Sequence, residues 1–208
     1  SPPRPRPPRA PRRDGPTRLT DRPPPAMEFD FDIGRALGSG GGGGQRVCCV
    51  EDGGRLQDPR WGPGLRELLD KVGERSRRAQ GLGKAVTSSA PSMLSGCRVY
   101  LLVDGNSCLG VLKVGSKRLF VARNADHGLQ EIKPLCVLDF YVVEGQQRGG
   151  LGRKLFGAML AREAADAARL AYDKPSPKLI GFLKKHFGLA RFHPQSNNFV
   201  VFEAFFLA

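Results

Sequence analysis

The stretch Leu135-Cys136-Val137-Leu138-Asp139-Phe140-Tyr141-Val142-Val143 is nearly continuous in apolar and β-favouring residues, which marks a central strand buried on both faces. It runs without a gap into Glu144-Gly145-Gln146-Gln147-Arg148-Gly149-Gly150-Leu151-Gly152, after which Leu151, Leu155, Met159 and Leu160 recur at helical spacing. A glycine turn between strand and helix lets the backbone bend sharply and approach a ligand. The first amides of the helix have no intrahelical acceptor and lie at the positive end of its dipole, so the turn suits an anion such as a pyrophosphate. Gln147, Arg148 and Arg153 add donors and charge to the same rim, and Lys178, Lys184 and Lys185 lie on a later helix able to pack beside it. The spacing Gln147-x-x-Gly150-x-Gly152 is not the G-x-G-x-x-G of a dinucleotide site, and no acidic residue at a second strand end completes a Rossmann unit.

Working outward, Val99–Val103 and Leu109–Val114 around the turn Asp104-Gly105-Asn106 predict a hairpin, with Leu119–Val121 as the next strand and antiparallel neighbours throughout. Arg46–Val50 reads as a short strand. Gly64–Gln80 reads as an amphipathic helix with Leu65, Leu68, Leu69 and Val72 on one face and Arg75, Arg77 and Arg78 opposite. Arg169–Tyr172 predicts a short strand ending at Asp173, Pro175–Phe187 a second helix stopped by Gly188, and Phe199–Phe206 a closing strand. Near the start, the alternation Phe29, Phe31, Ile33 predicts an edge strand. The Gly-rich run 38–44 is expected to be a flexible loop; no Lys-Ser/Thr and no helix pattern follows it, which rejects a phosphate cradle. Mixed strands and helices around one mostly antiparallel sheet make the expected class α/β mixed (α+β), a single domain over 27–208.

The 208 residues hold 33 Lys+Arg against 20 Asp+Glu, a net charge of +13, which invites a nucleic-acid reading until the charge is located. Residues 1–26 carry seven Arg and two Asp, +5 of the excess, together with ten of the 17 prolines. Such a segment has almost no apolar side chain to offset the entropy of ordering, so it is expected to be a disordered arm, read as an extension upstream of a natural start at Met27. A basic arm for an anionic partner is the other reading. The remaining chain places most aromatics in strands, not interleaved with Lys/Arg, and this ranks nucleic-acid binding last. No apolar run approaches the roughly 18 residues of a membrane span, and the Pro/Arg start is unlike a secretory signal. The five cysteines lack CxxC spacing, so free thiols in a reducing compartment and no metal site are expected.

The glycine turn fits the (Gln/Arg)-x-x-Gly-x-(Gly/Ala) pattern of the GNAT acetyltransferases. The blocks Pro134–Tyr141, Gln147–Arg153, Asp173-x-Pro175-Ser176 and Asn197–Phe206 resemble the α-tubulin N-acetyltransferases closely, as do Met27-Glu28-Phe29, Lys113–Val121 and Ala79-Gln80. The resemblance covers essentially Met27 to the last residue. It implies a GNAT fold, acetyl-CoA as co-substrate without metal, and transfer to a lysine ε-amine of α-tubulin in the microtubule lumen. It implies a monomer in the cytoplasm on the cytoskeleton, with the cilium or axoneme as a further address. By the same resemblance the catalytic pair falls on Cys136 and Asp173, and a glutamine important for activity falls on Gln80. The cofactor segments fall on Phe140, Tyr141, Val142, Val143, Gln147, Arg148, Gly149, Gly150, Leu151, Gly152 and Arg153, and on Ser176, Lys178 and Lys185. This chain departs from the family at Ala122-Arg123-Asn124, where an acidic pair is usual, and at Ser92, where an arginine is usual. Those departures keep open a GNAT enzyme acting on another amine, or a weakly active microtubule- or acetyl-CoA-binding scaffold.

The residues also have plainer readings. Acetyl transfer needs a neutral amine, whereas a free lysine has a pKa of ~10.4, so a base is required. Asp173 can serve as that base or as the N-cap of the helix beginning near Pro175. Cys136 can be a second base, an acetyl-accepting nucleophile, or a small buried hydrophobe; direct transfer is preferred because no acyl-enzyme is needed when both substrates bind together. Gln80, at a helix end beside Gly81, is by default a solvated side chain.

Overall fold

The computed structural model describes residues 26–51, 53–124 and 128–207. The disordered arm expected over 1–26 lies, but for Ala26, outside them. In chain order the elements are β1 (Met27–Glu28), α1 (Ile33–Ala36), β2 (Gln45–Glu51), α2 (Gly62–Gln80), α3 (Pro91–Leu94), β3 (Cys97–Asp104), β4 (Ser107–Ser116), β5 (Leu119–Val121), β6 (Gln130–Ile132), β7 (Leu135–Val142), α4 (Leu151–Glu163), β8 (Ala171–Asp173), α5 (Pro177–Phe187) and β9 (Phe199–Val201). The main sheet has the order β2-β3-β4-β7-β8-β9, with β1 pairing the start of β4. Every pairing in it is antiparallel except β7 with β8. The expected mostly antiparallel sheet flanked by helices is therefore present.

Alternation along the strands builds two layers. Val99, Leu101 and Val103 of β3 and Tyr141 and Val143 face α2, which contributes Leu65, Leu68, Leu69 and Val72. Tyr100, Leu102, Val137 and Val142 point the other way, onto Leu155, Phe156 and Met159 of α4 and Leu179 and Leu183 of α5. Each such apolar side chain contributes about 1.5–3 kcal/mol on burial, so all three helices are held by their apolar stripes. α2 begins two residues earlier than predicted because Pro63 is accommodated in its first turn, and Gly81 ends it in a left-handed cap at φ 65°.

Four expectations fail, each for a local reason. Phe29–Ile33 is not an edge strand: Asp32 Oδ1 accepts the Arg35 amide (2.8 Å) and caps the short α1. That bond outweighs the alternation. β5 does not join the main sheet; it pairs β6, whose Gln-Glu-Ile carries no alternating apolar signal, and β7 takes the place beside β4. The predicted strand Arg169–Tyr172 begins as a 3-10 turn at Ala167–Arg169, with the Tyr172 hydroxyl donating to the Ala167 carbonyl (2.7 Å). The C-terminal strand stops at Val201, because the chain turns into a 3-10 segment at Glu203–Phe206 in which Phe205 and Phe206 pack edge to face (5.2 Å). In the 38–44 segment, Gly38, Gly40, Gly42 and Gly44 all have positive φ, and the carbonyls of Ser39, Gly40 and Gly42 gather around the Arg46 guanidinium. Glycine is required at those alternate positions.

In contrast, Gly157 sits in the interior of α4 with nothing within 4 Å of an added Cβ. Gly157→Ala is expected to stabilise the protein by about 0.5–1 kcal/mol, read as a higher midpoint in urea with an unchanged m value.

Candidate active site

The site forms where the sheet splits. β8 runs alongside β7 only at Cys136–Ala171 and Val137–Tyr172, so beyond that pair Leu138–Val142 has no strand beside it on the β8 side. A bulge lies at the same place: Val114 opposes Val137 and Lys113 opposes Asp139, which leaves Leu138 as the extra residue. Leu138 packs with Cys136, while Asp139 bonds to α2, so both turn to the α2 face of the sheet.

The glycine turn sits at the mouth of the split. Gly150, at φ 83°, is the N-cap of α4 and no side chain caps that end; the first intrahelical bond runs from the Lys154 amide to the Gly150 carbonyl (3.0 Å). The amides of Leu151, Gly152 and Arg153 thus have no acceptor among the described residues. A Cβ on Gly152 would lie 3.4 Å from Phe140 and 3.7 Å from Phe182, which brings α5 against the turn. Phe182 also packs on Phe140 at 5.4 Å. Lys178 and Lys185, four residues before and three after Phe182, share its stripe of α5 and are exposed, as are Arg148 and Arg153. The donor set of free amides ringed by cations therefore fits a pyrophosphate.

Other predicted cofactor residues act differently. Gln147 Nε2 donates to the Val142 carbonyl (2.8 Å), tying the turn to the end of β7. Tyr141 and Val143 point into the core against α2, and the Tyr141 hydroxyl donates to Glu144 (2.8 Å), so β7 can offer the split its backbone but not these side chains. Ser176 is the N-cap of α5, with Oγ accepting the Leu179 amide (3.2 Å).

The N-cap is thus Ser176 and not Asp173, whose carboxylate is left uncommitted by the helix. It ends β8 on the face shared by Cys136, Ala171 and Phe199, half-buried, and its carboxylate accepts no hydrogen bond among the described residues. Burial raises its pKa above the ordinary carboxylate value, against an opposing pull from Lys174 and Lys117. Lys174 then leaves the strand in a left-handed conformation (φ 40°), its amide donating to the Asn198 carbonyl (3.1 Å). A non-glycine residue there stores on the order of 1 kcal/mol, and it stands directly after the candidate base.

Cys136 is fully buried, its thiol donating to the Pro134 carbonyl (3.6 Å). Burial, with the Asp173 charge adding, pushes its pKa up to about 11 against Lys117. At pH 7 that leaves on the order of one thiolate in 10⁴. A nucleophile needs the thiolate. Protein treated with acetyl-CoA alone is therefore expected to carry no acetyl group on Cys136 by peptide mass spectrometry.

Gln80 also reaches β7, through a cluster not foreseen from the sequence. Its Nε2 donates to Asp139 Oδ1 (2.8 Å) and to Ser76 Oγ (2.7 Å), and Thr87 Oγ1 donates to Asp139 Oδ2 (2.6 Å). An acid within Leu-Cys-Val-Leu-Asp-Phe-Tyr and a lysine within Leu-Gly-Val-Leu-Lys-Val were the available signals, since a charged residue in a buried strand needs partners. The structure brings Gln80, Cys136 and Asp173 onto one face of the sheet, beside the split, with the glycine turn at its mouth. Among the described residues no group of three or more His, Cys, Asp or Glu could hold a metal ion, all five cysteines are free, and no helix is long and apolar enough to cross a membrane.

A mainly antiparallel sheet that opens after a short parallel pair, with a glycine turn and an uncapped helix at the opening, is the arrangement of the GNAT fold. Residues 50–208 match the family described as GNAT acetyltransferase, Mec-17, and the chain belongs to that family. It is 49% identical over 142 residues to the α-tubulin N-acetyltransferase of Tetrahymena thermophila, covering 68% of this chain and 35% of that protein. The corresponding protein of Leishmania infantum is 49% identical over 144 residues (68% and 58%), and that of Aedes aegypti 46% over 146 residues (68% and 53%). The chain thus spans only part of the length of each of these relatives. Among solved structures, a predicted acetyltransferase of Clostridium acetobutylicum with acetyl-CoA aligns with a TM-score of 0.47 at 8% identity, over 74% of this chain and 92% of that one.

Proposed function

We propose that this protein transfers acetyl from acetyl-CoA to a lysine ε-amine of α-tubulin, in the microtubule lumen, with Asp173 as the general base. The observation that carries the reading is the Asp173 carboxylate: half-buried, unbonded among the described residues, and standing at the split while Ser176 does the capping. Acetyl-CoA supplies an activated thioester. The free amides of Leu151, Gly152 and Arg153, with Arg148, Lys178 and Lys185, hold its pyrophosphate, and the unpaired edge of β7 lies along the split where the acyl arm would run. Asp173 accepts one proton of the incoming ammonium, directly or through water, and the freed lone pair attacks the thioester carbonyl; the N–C bond forms, the C–S bond breaks, and CoA leaves as the thiol with the second proton of the nitrogen. Cys136, kept as a thiol, packs beneath it.

The names of relatives nearly half identical to this chain support α-tubulin as the substrate. The excess of Lys and Arg would favour an acidic polymer. We further propose that it acts as a monomer in the cytoplasm on microtubules, including those of the axoneme. Comparing polymerised tubulin with a histone peptide and a polyamine as competing acceptors tests the choice. Tubulin should take nearly all the acetyl label; preferential labelling of either competitor would move the enzyme to another substrate class.

A further inference from the structure

Asp139 is the only acidic side chain in β7 and is 4% exposed. No ion pair to it forms among the described residues: Lys113, opposite it in register, gives its Nζ to the Val86 carbonyl (2.7 Å). Three neutral donors surround the carboxylate instead, from Ser76 (2.7 Å), Gln80 (2.8 Å) and Thr87 (2.6 Å).

What this arrangement fixes is the carboxamide of Gln80. One of its protons goes to Asp139 Oδ1 and the other to Ser76 Oγ, whose own proton is already given to Asp139. A carboxylate only accepts, so the amide must turn its nitrogen inward. The remaining polar atom, Oε1, has no partner among the described residues and is not sealed from solvent. It is an acceptor, on the face of the sheet that carries Cys136 and Asp173.

We infer that Asp139 is a positioning residue: by holding both amide protons of Gln80, with Ser76, it presents Gln80 Oε1 as a fixed acceptor for the N–H groups of the incoming lysine. The inference rests on the acetyl-transfer reading above. Asparagine at 139 offers an N–H of its own and lets the Gln80 amide reverse, so that nitrogen instead of oxygen meets a donor. The network thereby selects an ammonium or amine and disfavours a carboxylate.

The test is a double-mutant cycle of Asp139→Asn and Gln80→Ala, with polymerised tubulin and acetyl-CoA, alongside the dissociation constant for acetyl-CoA. Asp139→Asn is expected to lower kcat/KM for tubulin about tenfold in the unsubstituted background and no more than about twofold in the Gln80→Ala background, with acetyl-CoA affinity unchanged. Ser76→Ala, which leaves no carboxylate stranded, should show the same dependence with a loss of about threefold. In ¹⁵N–¹H spectra both side-chain amide protons of Gln80 should be shifted and slow to exchange, and Asp139→Asn should abolish this. Equal losses in both backgrounds, or a Gln80 amide exchanging like that of a free glutamine, overturn the role assigned to Asp139. An unsubstituted protein that leaves tubulin unmodified defeats the acetyl-transfer reading itself, and the role with it.

Discussion

Replacing Asp173 with asparagine is expected to lower turnover by about 10²- to 10⁴-fold while the dissociation constant for acetyl-CoA stays the same. The substitution keeps the shape of the side chain and leaves the cap of α5 to Ser176, so the fold should be untouched. Its pH behaviour separates a base from a merely polar neighbour. A base works ionised, and burial raises the Asp173 pKa, so kcat/KM should climb with pH along a limb displaced upward from the usual aspartate range. Asp173→Asn should erase that limb and keep the one belonging to the lysine. Stability runs the opposite way. The folded state holds the Asp173 proton more tightly than the unfolded chain, so this group's contribution is present below the ordinary aspartate pKa and lost as pH rises through the raised value. Asp173→Asn should therefore unfold no more easily than the unsubstituted protein at neutral pH. Unchanged turnover would remove Asp173 from the mechanism.

The largest effect on stability is expected at Gly73. A Cβ there would fall inside contact distance of the Thr87 carbonyl oxygen and within 2.7 Å of its carbon, and both belong to backbone, which yields poorly. Gly73→Ala should cost about 3 kcal/mol, a drop in Tm of roughly 6–12 °C for a domain of this size. The same displacement would draw Thr87 away from Asp139. Activity measured well below the new Tm should consequently fall as well. A Tm within a degree or two of the unsubstituted protein would mean that α2 and the loop after it are not held as closely as their contact indicates.

What could be read in advance was what is written locally. Leu135–Val143 announces a buried strand through continuous apolar character, and the glycines after it announce a turn onto a helix, so the fold class and the glycine turn were both legible. Phe29–Ile33 misled because a two-residue alternation is weak beside the hydrogen bond that Asp32 makes to Arg35. Phe199–Phe206 misled because apolar residues on consecutive positions suit a strand and a packed 3-10 turn equally well. Asp173 had two chemically sound readings, and the cap at Ser176, three residues on, removes one of them, the N-cap. The Gln80–Asp139 bond joins residues 59 positions apart, and no local pattern reports a contact made by docking a helix across a strand bulge. The side chain of Gln80 by itself looks like a solvated helix end.

The central claim is tested most directly by incubating the protein with polymerised tubulin and acetyl-CoA, then locating acetyl-lysine in α-tubulin by peptide mass spectrometry, with Asp173→Asn in parallel. The account predicts time-dependent acetylation of α-tubulin by the unsubstituted protein and on the order of 1% of that rate or less from Asp173→Asn. No acetyl-lysine in α-tubulin, or equal rates from the two proteins, would contradict it.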